Sequence, residues 1–113
     1  IPLTDETHYL IDEEFISKME KNFYFVNTAR GKNLKTKALV QAIESGKVLG
    51  ACLDVLEYEK SSFENLETEN QDLKYLLDSE KVIVTPHIGG WTHQSKEKLA
   101  QVIVDKILAD FRN

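Results

Sequence analysis

Several residue types are scarce in this sequence of 113 residues, and each scarcity excludes a class of protein. The single cysteine, Cys52, cannot build a disulfide framework, and within the run GACLDV it is expected to be a small buried residue rather than a reactive thiol. Only two prolines and five glycines are present, and they form no low-complexity stretch or flexible linker. The protein is therefore expected to be an ordinary globular one in the cytoplasm.

Long apolar runs and a basic excess are also missing. No apolar run approaches the roughly 18 residues that would cross a bilayer, so no membrane segment is expected. Lysine and arginine number 14 against 19 acidic residues, for a net charge of −5. Nucleic-acid binding requires a basic stripe, so a nucleic-acid partner is not expected. A small anion held by a local arginine remains compatible with this charge.

The hydrophobic pattern predicts strands and helices that alternate along the chain. Runs without polar alternation predict strands at 24–29, 49–55 and 82–85 that are buried on both faces. Helices are predicted over 13–20 after the cap Asp12, from Thr36 to a stop at Gly46, and over 97–111 after the cap Thr92. The acidic segment 61–80 is predicted to be partly helical. Because parallel strands need crossover connections, this order predicts an α/β fold with a parallel sheet and flanking helices.

Residues with polar or ionisable side chains lie at or just beyond the carboxyl end of each predicted strand. In an open parallel sheet, ligands bind beyond the carboxyl ends of the strands. The residues at these ends include Arg30, Asp54, Glu57, Glu59 and His87. Arginine can hold a carboxylate through two hydrogen bonds, and histidine exchanges protons near neutral pH. The sequence therefore predicts a crevice that binds a small carboxylate and moves a proton.

Plainer interpretations remain open for each residue taken alone. Arg30 can be a surface arginine that pairs with an acidic loop, His87 a histidine satisfied after a proline turn, and Asp54 a loop cap. A metal site is not expected, because the spacings match no familiar ligand pattern. A serine or cysteine hydrolase is not expected either, because no nucleophile occupies a strand-to-helix elbow.

Four segments carry a family resemblance. In order, IPLT, VNTARG, ALVQAIESGKVLGACLDVLEYE and VIVTPHIGGWT resemble signature blocks in the NAD-binding domain of the D-isomer-specific 2-hydroxyacid dehydrogenases. This resemblance covers nearly the whole chain and implies a Rossmann-like sheet with NAD as the cofactor. The loop after Glu59 and the ending GGWTHQS are similar to some bacterial phosphoglycerate dehydrogenases of serine biosynthesis.

The resemblance also implies roles for individual residues. Arg30 would bind the carboxylate and carbonyl of a 2-oxo acid, His87 would donate or accept the proton, and Glu59 would pair with His87. Family members usually have a proline after this glutamate, where this chain has Lys60, so Glu57 stays open as the partner of His87, although the spacing from Arg30 favours Glu59. Asp54 would hold the nicotinamide carboxamide. The implied cofactor contacts are Thr28, Ala29, Arg30, Asp54, His87, Ile88, Gly89 and Gly90.

One expected part is missing from the sequence. None of the five glycines forms the pattern G-x-G-x-x-G that binds a pyrophosphate. Residues 1–113 are therefore expected to be the second half of a dinucleotide-binding domain, entered in its middle at IPLT, and to be inactive when isolated. The complete enzyme would act on a small 2-hydroxy or 2-oxo acid as a homodimer, with no metal, nucleic acid or membrane partner.

Two other functions fit the same resemblance. Some family members are NAD-sensing corepressors that keep the catalytic residues, so a non-enzymatic scaffold is the alternative. A formate dehydrogenase is a third possibility, but that branch usually has glutamine as the helper of the histidine. Glu59 therefore argues against it.

Overall fold

The computed structural model describes residues 1–59 and 70–111. Three strands form one parallel sheet in the order β1-β2-β3: β1 is Phe23–Asn27, β2 is Val48–Leu53 and β3 is Val82–Val84. Within these two described ranges, four α-helices accompany the sheet: α1 is Glu13–Ser17, α2 is Thr36–Glu44, α3 is Gln71–Asp78 and α4 is His93–Phe111. The predicted α/β fold with a parallel sheet is confirmed.

Short polar residues and one glycine set the helix limits. The Asp12 carboxylate accepts the Phe15 N–H at 2.9 Å, which satisfies a free donor at the start of α1. This helix ends at Ser17 and is three residues shorter than predicted. After α2, Gly46 has φ of +77°, a left-handed conformation that suits a glycine at a helix end.

The last two helices begin in the same way. Asn70 accepts the N–H groups of Asp72 and Leu73, and Thr92 accepts the Ser95 N–H at 3.0 Å. Because Thr92 caps directly, α4 begins at His93 rather than at the predicted residue 97. Helix α3 lies within the predicted acidic segment, of which residues 61–69 lie outside the described ranges.

The core lies on one side of the sheet. Helix α2 packs against β2, α3 packs against β3 and α2, and α1 packs against α2. The largest fully buried side chains are Leu39, Ile43, Leu53, Leu73, Leu76, Val48, Val55 and Thr36. The apolar stripe of α2 thus follows the 3.6-residue period that the sequence shows.

The other side of the sheet is open among the described residues. Val26, Cys52 and Ile83 are paired in register across the three strands, and all three are exposed. The expectations of strands covered on both faces and of a buried Cys52 were therefore wrong for the described part of the chain. The reason is geometric, because α2 and α3 both lie on the opposite face.

Helix α4 is exposed along its length. None of its residues is buried, and its apolar side includes Leu99, Val102, Ile103 and Ile107. The helix contributes to an elongated shape of 60 × 33 × 25 Å. Within the described ranges, no helix combines the length and the apolar character that crossing a bilayer would require.

Candidate active site

The carboxyl ends of the three strands meet at one cavity of about 470 Å³. The main chain leaves β1 towards Arg30, β2 towards Asp54 and β3 towards His87, and parallel strands bring these ends to the same edge. The cavity is lined by Thr28, Arg30, Asp54, His87, Gly89, Gly90 and Trp91. Six of these seven residues are among those singled out from the sequence.

The turn after β3 holds His87 in an unusual conformation. His87 has φ of +55°, a left-handed region that non-glycine residues seldom occupy. Asp54 stabilises this turn, because its carboxylate accepts the N–H groups of Ile88 at 2.9 Å and Gly89 at 2.8 Å. The carboxylate also accepts the Thr85 hydroxyl at 2.6 Å. A single side chain after β2 thus fixes the backbone after His87 and holds the Thr85 hydroxyl before it.

The surroundings of Asp54 favour its ionised form. Burial alone would raise the pKa of this carboxyl, but the hydrogen bonds from Thr85, Gly89 and Ile88, together with the charge of His87, outweigh burial. The pKa of Asp54 therefore lies below its usual range. A permanent negative charge stands beside the cavity at neutral pH.

His87 pairs with a carboxylate through one ring nitrogen. The Nδ1 atom of His87 lies 3.1 Å from Oε2 of Glu59. The Glu59 side chain is largely buried at 13% exposure, whereas that of His87 is half exposed. An ionised carboxylate accepts hydrogen bonds, so Nδ1 carries the hydrogen and Nε2 is the ring nitrogen that remains for a ligand.

The two candidate glutamates have different partners. Glu59 reaches His87, and its other oxygen accepts the Leu56 N–H at 2.5 Å. Glu57 points elsewhere and accepts the Tyr9 hydroxyl at 2.5 Å and the Thr36 N–H at 2.8 Å. The structure therefore places Glu59, and not Glu57, against the histidine.

The end of β1 positions Arg30 at the cavity. Asn27, which is buried, accepts the Ala29 N–H at 3.0 Å and donates to the Arg30 carbonyl at 3.1 Å. The guanidinium of Arg30 donates to the Ala29 carbonyl at 2.6 Å and lines the cavity beside Thr28. The strand end is thus rigid, while the charged group of Arg30 is exposed.

Sequence reasoning missed three contributors to this site. Trp91 lines the cavity, and its place directly after the glycine pair was the available signal. Asn27, the last residue of β1, bonds the Arg30 carbonyl, and Thr85, directly after β3, bonds the Asp54 carboxylate. Sequence spacing alone does not reveal these hydrogen bonds. In residues 1–59 and 70–111, no three histidine, cysteine or acidic side chains converge as a metal site would require.

Comparison with known proteins identifies the family. Residues 1–89 match the family model described as "D-isomer specific 2-hydroxyacid dehydrogenase, NAD binding domain". Over 113 residues the chain is 39% identical to a glyoxylate reductase of Thermococcus kodakarensis, covering 100% of this chain and 31% of the relative. Over 105 residues it is 33% identical to an aromatic 2-oxoacid reductase of Clostridium sporogenes, covering 89% of this chain and 32% of the relative.

A solved structure shares the fold. The NAD-complexed form of a D-isomer specific 2-hydroxyacid dehydrogenase from Lactobacillus delbrueckii ssp. bulgaricus matches with a TM-score of 0.78 and 31% identity. The match covers 97% of this chain and 35% of that one. The chain thus spans about a third of the length of the proteins it matches. The match to the family model over most of the chain shows that this chain belongs to the NAD-binding domain family of the D-isomer specific 2-hydroxyacid dehydrogenases.

Proposed function

We propose that the complete protein is an NAD-dependent oxidoreductase that transfers a hydride between nicotinamide and a D-2-hydroxy acid or its 2-oxo acid. The observation that carries the proposal is the arrangement around one cavity of a cation, Arg30, and a paired acid-base group, His87 with Glu59. Reduction of a 2-oxo acid needs both, because the substrate carboxylate must be held and the developing alkoxide must receive a proton.

Each of the three side chains has a distinct task in this proposal. The planar guanidinium of Arg30 holds the substrate carboxylate through two hydrogen bonds and offsets charge on the carbonyl oxygen. His87 gives its proton to that oxygen from Nε2 during reduction and takes it back during oxidation. Glu59 holds the ring by its Nδ1–H and stabilises the charged imidazolium form.

The cavity is suited to the nicotinamide end of NAD. Its wall combines the ionised Asp54 with a turn that carries no side chain at Gly89 and Gly90, so a flat ring can approach the backbone. A Cβ on Gly90 would have no atom within 4 Å, and one on Gly89 would lie 2.8 Å from the Asp54 carboxylate. Asp54 would accept the carboxamide N–H of the cofactor, which supplies the hydride chemistry when it is bound.

The remaining contacts to the cofactor come from strand ends. Backbone groups of Thr28 and Ala29 after β1, and of the turn 87–90 after β3, would contact the nicotinamide and its ribose. Side-chain hydrogen bonds of Asn27 and Asp54 hold the backbone of these segments, so they are already fixed before a ligand binds. The sequence contains no G-x-G-x-x-G loop, so the pyrophosphate would be bound by another part of the complete protein.

The substrate within this class is a separate hypothesis. The loop after Glu59 and the ending GGWTHQS support 3-phosphoglycerate and a role in serine biosynthesis. The names of the relatives, a glyoxylate reductase and an aromatic 2-oxoacid reductase, support 2-oxo acids without phosphate.

Turnover by the full-length protein tests the proposal. We expect NADH oxidation with at least one of glyoxylate, hydroxypyruvate or phenylpyruvate, or NAD reduction with 3-phosphoglycerate. The His87→Gln variant should retain NADH affinity but lower kcat by roughly 100-fold or more, and it should remove the pH dependence that the proton donor gives to kcat/KM. Tight NADH binding with no turnover of any of these acids would instead support a cofactor-sensing scaffold.

We also propose that the full-length protein is a homodimer, as the family resemblance suggests, and light scattering of that protein would test it. A cytoplasmic location agrees with the single cysteine in the sequence, and fractionation of the source cells would test it.

A further inference from the structure

The carboxylate of Glu57 joins three separate segments of the chain. It accepts the Tyr9 hydroxyl from the N-terminal turn and the Thr36 N–H from the first turn of α2. The N-cap residue of α2, Lys35, provides no side-chain cap, and the first turn contains no acidic residue. Glu57 therefore does from a distance what a capping side chain does locally, and its charge suits the positive end of the helix.

Tyr9 is itself firmly held. Its N–H donates to the Lys32 carbonyl at 2.8 Å, and it adopts φ of +52°, which a tyrosine seldom does. The hydrogen bond to Glu57, with a smaller contribution from burial, raises the pKa of Tyr9 to about 12. The phenol is thus a constant hydrogen-bond donor to Glu57 at neutral pH.

The segment 54–59 links Glu57 to the candidate acid-base pair. Glu57 and Glu59 are two residues apart in one turn, and Oε1 of Glu59 accepts the Leu56 N–H immediately before Glu57. The Leu56 carbonyl rests against Gly31, where a Cβ would lie 1.9 Å from its oxygen. The turn 54–59 is therefore fixed by the contact of Leu56 with Gly31 and by the hydrogen bonds of Glu57. Glu59, the last residue of this turn, bonds His87.

We propose that Glu57 is a positioning residue, which fixes the turn 54–59 so that Glu59 meets Nδ1 of His87. The inference rests on the proposed function, since it assigns Glu57 to the acid-base pair of that reaction. It adds a role that neither the sequence reasoning nor the cavity lining gives, because Glu57 itself does not line the cavity. The competing interpretation is that Glu57 only caps α2 and affects stability alone.

A set of variants in the full-length protein separates the two interpretations. Glu57→Ala removes both contacts, Tyr9→Phe removes one, and Glu57→Gln keeps an acceptor for the Thr36 N–H. Glu13→Ala is the matched control, because it removes an exposed carboxylate from Lys35 at the start of the same helix without touching the turn. We expect Glu57→Ala to lower kcat by about tenfold, with the KM for NADH within about twofold of wild type.

The kcat values of Glu57→Gln and Tyr9→Phe should lie between those of Glu57→Ala and the wild type. Glu57→Gln should recover part of the lost kcat, Tyr9→Phe should lose about threefold, and Glu13→Ala should keep the wild-type kcat. Should Glu57→Ala fail to fold, Tyr9→Phe and Glu57→Gln carry the same comparison. A Glu57→Ala variant that unfolds more easily but keeps the wild-type kcat would overturn the proposal.

A double variant gives the sharpest comparison. If Glu57 acts through Glu59, then adding Glu57→Ala to a Glu59→Gln variant should lower kcat almost no further. Two effects on kcat that multiply in full would show that Glu57 does not act through Glu59 and would contradict the inference.

An independent measurement does not require turnover. Long-range ¹H–¹⁵N spectra report which ring nitrogen of His87 carries the hydrogen, and we expect Nδ1–H in the wild type and a shift towards Nε2–H in Glu57→Ala. An unchanged His87 in this variant would overturn the positioning role. If the wild-type protein reduces no 2-oxo acid while Glu57→Ala still shifts the tautomer, the proposed function fails and the positioning role survives.

Discussion

At the scale of single residues, Arg30 stands out because its side chain is exposed while its backbone is fixed. Asn27 bonds both sides of the short turn that carries it, so the guanidinium starts from a rigid base at the cavity. A flexible cation would pay a larger entropy cost on holding a substrate carboxylate. The position of this arginine is therefore as informative as its charge.

Replacing Arg30 by lysine should separate charge from geometry. Arg30→Lys keeps the charge but replaces a two-pronged donor by a single ammonium group, and loss of one charge-assisted hydrogen bond costs about 1.5–3 kcal/mol. We expect kcat/KM for the 2-oxo acid to fall by about tenfold to a hundredfold, while NADH affinity changes little. Steady-state kinetics of the full-length protein measures both quantities, and unchanged keto-acid constants would make the arginine structural.

Asp54 gives a prediction about pH. Its pKa is lowered in the folded protein, so its contribution to stability is complete above the unfolded value of about 3.9 and disappears as the pH falls through the folded value. Asp54→Asn should reduce the free energy of unfolding at pH 7 by about 1–3 kcal/mol, because the N–H groups of Ile88 and Gly89 lose an ionised acceptor.

Denaturant unfolding at several pH values measures this effect. The stabilities of the wild type and of Asp54→Asn should converge as the pH is lowered below the unfolded value of about 3.9, and Asp5→Asn, in an exposed turn, should behave like the wild type throughout. A difference that stays constant with pH would show that the charge of Asp54 does not stabilise the turn.

At the scale of elements, the short 3₁₀ helix Gly31–Asn33 and the turn 54–59 pack backbone against backbone. The absent side chain at Gly31 makes this approach possible. In Gly31→Ala, the new Cβ would lie 1.9 Å from the Leu56 carbonyl oxygen, so the turn must move. The cost should be about 1–3 kcal/mol of stability, and kcat/KM should fall as Glu59 shifts from His87.

Gly90→Ala is the matched control for the stability of this variant. A Cβ at position 90 meets no atom within 4 Å, so thermal unfolding of Gly90→Ala should follow the wild type. Equal melting temperatures for Gly31→Ala and the wild type would show that the two segments can separate without cost.

Helix caps and the direction of the strands could be predicted from the sequence. Asp12, Gly46 and the parallel order were predictable, because capping chemistry, left-handed glycine and crossover connections are local or topological rules. The family resemblance and the spacing from Arg30 favoured Glu59 over Glu57 as the partner of His87, and the structure places Glu59 beside that ring. Residue chemistry alone does not separate two carboxylates in one turn, and the contact of Glu57 with Thr36 was not predicted.

Burial was the least predictable property. The apolar runs of β1 to β3 have the composition of strands covered on both sides, yet Val26 and Ile83 are more than half exposed. An apolar pattern indicates what a surface can pack against, whereas burial depends on which elements are present to cover it. The buried side of α2 agrees with the helical spacing of its apolar residues.

At the scale of the whole molecule, the 113-residue chain should bind NAD poorly. It contains candidate contacts for the nicotinamide end but no glycine loop, and phosphate contacts at a helix N-terminus normally supply much of the affinity. Calorimetry with the isolated chain should therefore detect weak binding or none. A low-micromolar dissociation constant would contradict this prediction.

The exposed row Val26, Cys52 and Ile83 has a practical consequence for labelling. Cys52 is the only cysteine in the sequence and lies at the centre of the open sheet face. A maleimide dye would therefore attach at one known point on this chain without any engineered residue. In any longer polypeptide or assembly that contains these strands, slower labelling of the same thiol would report directly that another surface has covered the sheet.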